Sequence, residues 1–449
     1  MITHPTAVDP AVRQARYAQM RARTRELFDL LTDEAYWAQP IDVRHPVVFY
    51  DGHLPAFSFN TLVKKALGGR SIDASLEKLF ARGIDPDERE APQGGRSVRE
   101  RWPARETVRQ FADEADRRVL EALGRDDLDR PGDPYLDRGE AVDAILEHEA
   151  MHQETLLYLW HRLPYEWKRQ PPHYAPRTVG LVPLHESVEV PAGRIMLGVN
   201  PETVPFSWDN ERPALTVDVP AFSIARDNVT NAEFLAFVED GGYASERWWR
   251  PEDWAWVQRD GRRAPPFWEQ VDGRWYWHGL FARVPLPEGW PVWVTQAEAL
   301  AFARWTGARL PTEAEYMRAA YGRPDGDPRP QRYPWGEAEP TAAHGVFDFT
   351  SWDPQPVGTH PAGASAWGVR DLVGNGWEWT STPFAPFPGF TPMPSYPEYS
   401  ADFFDNQHAV MKGASPVTAR DLIRPSFRNW FRPRYPHVYA SFRCVTPTT

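Results

Sequence analysis

His148 and His152 stand four residues apart in the stretch Asp137 to Arg162, DRGEAVDAILEHEAMHQETLLYLWHR, and Glu154 follows two residues later. The stretch reads as one long helix. Asp137 lies three residues before Glu140, a capping-box start, and Ile145, Leu156 and Leu159 fall near one stripe at about 3.6 residues per turn. Both histidines lie on that stripe. Imidazoles one turn apart on a helix point the same way and can share a metal ion. They can equally be two satisfied helix histidines, so a third histidine in the same bundle is what shifts the balance toward a metal. His53, in HPVVFYDGHLPAFSFNTL, is the candidate.

The elements that must position these groups are helical. Asp9 as N-cap and Pro10 at the first helical position open residues 9 to 32, where Val12, Ala15, Leu27 and Leu31 form a broken apolar stripe. Residues 46 to 67 form a second helical stretch closed by Gly68 and Gly69, and Pro55 is expected to kink or break it. A short helix over Ile72 to Arg82 ends at Gly83. A longer one from about Ala104 to Leu123 turns Val108, Phe111, Ala115 and Val119 inward, with Gly124 beyond it. With the Asp137 helix these make a bundle of four main antiparallel helices, and bundles build metal sites from side chains on facing helices.

After Leu163 the composition changes, with Pro164, Pro171, Pro172, Pro176 and Pro183 close together. The reading is a bundle over 1–163, a Pro-rich linker over 164–186 and a second domain over 187–449. That domain is short strands, turns and three capped helices opening at Thr230/Glu233, Thr295/Glu298 and Thr312/Glu315. The fold class is therefore α+β in two domains.

Composition sets the outer limits. The chain has 449 residues, 42% hydrophobic and 25% charged, an ordinary globular balance. A net charge of -12 argues against a non-specific nucleic-acid binder. No apolar run is long enough to span a membrane, and MITHPTAVDPAVRQ has no signal-peptide core, so a cytoplasmic protein is expected. The single cysteine, Cys444, excludes a disulfide framework and a CxxC motif. With 21 Trp and 46 Pro, the irregular segments must be held by aromatic packing, and aromatic faces also suit a cationic ligand.

Five stretches carry a resemblance: NVTNAEFLAF (228–237), GARLPTEAEYMRA (307–319), YPWGE (333–337), WGVRDLVGNGWEW (367–379) and SFRC (441–444). In this order they resemble the formylglycine-generating-enzyme, or sulfatase-modifying-factor, domain, a variant of the C-type lectin fold. The copper-binding cysteine pair of those enzymes has no counterpart here. The first half looks like a DinB-type four-helix bundle, and the combination resembles the ergothioneine and ovothiol sulfoxide synthases, which are non-haem iron enzymes.

The resemblance implies Fe(II) held by His53, His148 and His152, Glu154 supporting the ligands, and O2 as co-substrate. It implies hercynine as a substrate, with Asn429 and Trp430 of FRNW in its pocket, Tyr396 as catalytic proton donor and Tyr399 facing the substrate. Arg96 and Arg99 have the spacing of the arginines that bind the donor carboxylate.

The chain departs from the ergothioneine branch at Phe431 and Tyr435, where that branch has an aspartate and an arginine for γ-glutamylcysteine, and at Met151, where it has a glutamine. Removing a carboxylate from a buried ammonium site costs a few kcal/mol. A donor lacking an ammonium group fits better, and Phe431 or Tyr435 can stack on a sugar. The favoured expectation is a C–Se bond-forming synthase taking a selenosugar, as in the similar selenoneine synthases. The alternatives are a sulfoxide synthase using γ-glutamylcysteine or cysteine, a zinc DinB thiol transferase with a lectin-like accessory domain, and a non-enzymatic binding module.

Overall fold

The computed structural model describes residues 9–81 and 98–447. The chain divides into two compact units: one runs through Tyr174 and includes Met393–Pro397, the other holds Ala175–Pro392 and the chain from Glu398 on. Among the described residues, no helix is long and apolar enough to cross a membrane.

The first unit contains α1 (Pro10–Asp29), α2 (Val47–Ser58) extended by a π-helix over Phe59–Ala66, α3 (Ala74–Leu79), α4 (Val98–Arg101), α5 (Arg105–Leu123) and α6 (Glu140–His161). Asp9 caps α1 by accepting from the Ala11 N–H at 2.8 Å, and Pro10 occupies the first turn. Of the expected stripe, Leu27 and Leu31 are buried, but its first half is not. Val12 is 49% exposed and Ala15 is also exposed, while Arg13, Tyr17, Arg21 and Thr24 are buried with Leu27 and Phe28. The polar members pair across the bundle: Arg21 Nε lies 2.9 Å from Asp116 of α5, and its Nη1 lies 2.7 Å from Glu149 of α6. An inward ionic network thus stands in for apolar side chains over the middle of this helix.

Two further expectations change. Pro55 neither breaks nor ends α2, which continues through Ser58 into the π-helix. Nearly all of α2 is buried, and that packing outweighs one missing backbone bond. The Asp137–Glu140 capping box does not form. Arg138 and Gly139 take positive φ (54° and 72°), and α6 starts at Glu140 without a side-chain cap. The short helix runs over Ala74–Leu79, capped by Asp73, where a start at Ile72 was expected, and Arg82 and Gly83 lie outside the described residues.

The second unit carries β1 (Ser187–Val190), β2 (Gly193–Leu197), β3 (Leu215–Val219), β4 (Phe222–Ala225), α7 (Asn231–Glu239), α8 (Pro251–Arg259), β5 (Trp268–Val271), β6 (Arg274–His278), β7 (Arg283–Pro285), α9 (Gln296–Trp305), α10 (Glu313–Tyr321), β8 (Gly376–Pro383), β9 (Ala409–Ala414), β10 (Asn429–Phe431), β11 (Ala440–Ser441) and β12 (Val445–Pro447). The sheets have orders β1-β4-β12, β10-β9-β8-β11, β2-β3 and β5-β6-β7. All three Thr-x-x-Glu capping boxes form as expected. Helix α8 is an addition to the sequence reading.

In the four-stranded sheet, β10 is an edge strand paired antiparallel to β9, with Trp430 opposite Val410.

Candidate functional site

His148 and His152 lie one turn apart on α6, and His53 projects from α2. One ring nitrogen from each lies within 4.8 Å of the others. The ring centroids are 5.1 Å (His53–His148), 5.0 Å (His53–His152) and 4.4 Å (His148–His152) apart. His53 Nδ1 sits 2.7 Å from the Phe80 carbonyl, so it carries the proton and donates it there. That bond leaves Nε2 as a lone pair, buried without a hydrogen-bond partner. Both ring nitrogens of His148 and Nδ1 of His152 are buried and unpartnered too. Buried polar atoms rarely stay unsatisfied, and converging imidazole lone pairs are a donor set for a divalent ion.

Burial holds these rings neutral, as ligation requires. It pushes His53 down to about 4, with the charge of His45 adding to the effect. It also holds His148 and His152 well below the usual imidazole range, and mutual repulsion within the cluster adds to this.

The residues around the triad fix the rings. Phe57 stacks on His148 at 3.5 Å and 9°, one turn beyond His53 on the same helix. Gly52 is needed where it stands, because a Cβ there would lie 2.5 Å from the Phe80 ring, the residue whose carbonyl orients His53. Phe57 was detectable in the sequence as the i+4 neighbour of His53. Phe80, far along the chain, was not.

Tyr396 lies in the Met393–Pro397 segment of this same unit. Its ring is 5.1 Å from Phe57 and 6.2 Å from His148, so it is brought together with the triad. Glu154 is buried and accepts from the Tyr158 hydroxyl at 2.5 Å. Two residues along a helix are about 200° around its axis, so Glu154 leaves the helix on a different side from His152. Arg99 on α4 covers Trp37 at 5.7 Å, in a surface pocket with Asp33, Glu34 and Arg105. Arg96 lies outside the described residues.

The remaining sequence-derived positions gather in the second unit. Tyr399 is buried, stacked on Trp208 at 4.0 Å and edge-on to Trp430 at 5.2 Å. Trp430 stacks on Phe384 at 4.3 Å and 5°. Asn429 Oδ1 accepts from the Trp430 N–H at 2.9 Å, leaving its amide N–H groups to donate elsewhere. Phe431 and Tyr435 stack on each other at 4.9 Å and 20°. Behind Phe384, the buried Arg428 pairs with Glu313 at 3.0 and 3.1 Å and sits over the Phe384 ring at 5.2 Å. Trp208, Phe384 and Arg428 extend the wall beyond the sequence reading, and only the Trp-rich composition hinted at them.

Comparison with known proteins agrees with this division. The sulfatase-modifying factor enzyme 1-like domain family matches residues 174–448, and the DinB superfamily matches residues 16–156. The chain is 43% identical over 319 residues to the hercynine oxygenase of Mycolicibacterium smegmatis, covering 69% of this chain and 72% of that protein. It is 42% identical over 335 residues to the hercynine oxygenase of Mycolicibacterium thermoresistibile, covering 72% and 71%. Ergothioneine biosynthesis protein 1 of Schizosaccharomyces pombe is 27% identical over 455 residues, covering 93% of this chain and 53% of that protein. Its second unit thus has the lectin-like fold of the sulfatase-modifying factors and its first the DinB bundle, and the chain belongs to the sulfatase-modifying factor enzyme 1-like family, in the two-domain superfamily of ergothioneine and ovothiol sulfoxide synthases.

Proposed function

We propose that this chain is a non-haem Fe(II), O2-dependent synthase that joins selenium or sulfur to the imidazole carbon of hercynine, with a selenosugar as the favoured donor. The observation that carries the reading is the set of three converging imidazoles, two of them buried and one half-buried, each with a buried ring nitrogen that has no hydrogen-bond partner. The similarity to hercynine oxygenases supports hercynine as the acceptor.

A bound ferrous ion would supply a redox centre with positions left open by three imidazoles. The rest falls to the chain. The Phe80 carbonyl keeps His53 in the tautomer that offers Nε2, and Phe57 holds the plane of His148. Asn429 donates to hercynine, and Trp430 faces its trimethylammonium group. The Tyr396 hydroxyl holds the proton that the reaction consumes. In the coupling, the imidazole C–H and the donor's Se–H or S–H are lost, and their two protons and two electrons pass to O2, giving hydrogen peroxide. A sulfoxide product requires two more.

The stacked Phe431–Tyr435 pair supports a donor without an ammonium group. A second reading, an ergothioneine-type sulfoxide synthase using γ-glutamylcysteine or cysteine, is favoured by the ergothioneine biosynthesis proteins among the relatives.

An aerobic assay of iron-loaded protein with hercynine, offering selenosugar, γ-glutamylcysteine and cysteine in parallel with products read by mass spectrometry, separates the two. A hercynine–selenium adduct is expected; a sulfoxide from γ-glutamylcysteine alone would install the second reading. Turnover with zinc in the absence of oxygen would overturn both. Tyr396→Phe should keep iron and hercynine binding and lose product, and normal turnover would remove Tyr396 from this role.

A further inference from the structure

Glu140 was expected to close a capping box, and it does not. Its Oε1 instead accepts from the Ser395 hydroxyl at 2.8 Å, and Ser395 is 4% exposed. From the other side, Lys65 in the π-helix donates to the Pro394 carbonyl at 2.9 Å and the Ser395 carbonyl at 3.2 Å, with its ammonium 5.4 Å from the Tyr135 ring centre. Lys64, its neighbour, is committed to Glu77. These contacts fall on the two residues immediately before Tyr396. Pro394 and Pro397 bracket the same stretch, each holding its own φ near -65°.

The segment is therefore gripped at one side chain and two carbonyls by groups on two helices that also carry the histidines. His53 is on the helix that runs on into Lys65, and His148 and His152 are on the helix that Glu140 opens. Grip and metal-ligand candidates thus share the same rigid supports, the arrangement that holds a catalytic group within a fraction of an ångström.

We propose that Glu140, Lys65 and Ser395 form a clamp that positions the Tyr396 hydroxyl, with Glu140 and Lys65 as positioning residues for the reaction. The inference rests on the reading of Tyr396 as the proton-bearing group.

The test uses the full iron-loaded chain as Glu140→Ala, Ser395→Ala, Lys65→Met and Lys65→Arg. Deuterium uptake is followed in a peptide spanning Met393 to Tyr399, together with iron stoichiometry and the kcat and KM for hercynine. Glu140→Ala and Ser395→Ala should speed uptake at Ser395 and Tyr396 several-fold. They should lower kcat by about tenfold to a hundredfold, with hercynine KM and iron content unchanged. Lys65→Met should move both readouts in the same direction, and Lys65→Arg, which can still donate to both carbonyls, should restore them. Unchanged uptake in Glu140→Ala and Lys65→Met would overturn the clamp whatever the activity. Faster uptake with undiminished kcat would leave the clamp standing and remove Tyr396 from proton transfer.

Discussion

In the bundle, His53 Nε2, both ring nitrogens of His148 and Nδ1 of His152 are buried with no hydrogen-bond partner. In the second unit the fully buried Arg443 uses every donor it has: Nε and Nη2 on the Glu378 carboxylate at 2.7 Å each, and the rest on Ala225, Arg226, Asn228 and Arg370. Both are buried polar clusters, but one is complete and the other is complete only with a ligand. The contrast separates polar groups that hold a fold from those held ready by it. Arg443 ties β4 and β8 to the irregular stretches that hold Arg226, Asn228 and Arg370. The triad sits between helices already fixed by Leu156, Val119 and the Arg21 network, so its open valences cost stability that the bundle can spare.

Breaking the saturated cluster should have the largest effect. Arg443→Met leaves Glu378 buried without its cation, and about 3–5 kcal/mol of stability should be lost in urea unfolding. A stability change below 1 kcal/mol would mean that the pair is dispensable.

Asp371 tests the same unit from the opposite direction. Burial raises its carboxyl to about 6, against the pull of the Gly358 N–H and the charges of Arg443 and Arg370. Between its ordinary pKa and about 6, the folded state binds more protons than the unfolded one, so this group's contribution to stability falls as pH rises through that window. Asp371→Asn should therefore match the parent below pH 4 and exceed it at pH 8 by on the order of 2–3 kcal/mol in paired melts. Asn also tolerates the positive φ of 52° at this position.

Gly52→Ala should push Phe80 away from His53. Loss of about 1–3 kcal/mol is expected from overpacking, together with a tenfold to hundredfold weaker affinity for added Fe(II), read by titration. Preserved affinity would show that the Phe80 carbonyl does not orient the ring.

The smallest and most discriminating effect is expected from His148→Leu. Removing unsatisfied nitrogens should leave the metal-free protein as stable as the parent or about 1 kcal/mol more so. The same change should abolish the stabilisation that added Fe(II) gives the parent. A clear destabilisation would make His148 a structural histidine.

What the sequence made legible was local chemistry. Asp9–Pro10 and the three Thr-x-x-Glu boxes specify helix starts through contacts within one turn, and all four form. Helix α8 carried the same kind of signal, with Pro251 followed by Glu252 and Asp253, and went unread among its tryptophans. The Asp137–Glu140 pattern misled because Glu140 has a tertiary partner, Ser395, that no local rule contains. The first half of α1 misled because Arg13, Tyr17, Arg21 and Thr24 are buried where Val12 and Ala15 were expected inward, while Leu27 and Leu31 are buried as read. His148 and His152 were legible as a pair because residue type and helical spacing put them on one face, whereas His53, on another helix, was named as the candidate third histidine and given a ligand role by the resemblance. Phe80, Trp208 and Phe384 were not, because their roles depend on proximity across distant chain segments.

The π-helix over Phe59–Ala66 has a consequence for how this protein can change. A π turn holds one residue more than an α turn, so the segment stores chain length that its neighbours do not feel. Deleting a residue within it would let the helix rewind toward α geometry, with His53 upstream and the Gly68 stop downstream still in their helical contexts. Only the direction of the side chains between them would rotate, Lys65 included. Insertion and deletion in these eight residues would therefore retune the hold on the Tyr396 segment independently of the histidines, a route to variation that point substitution does not offer.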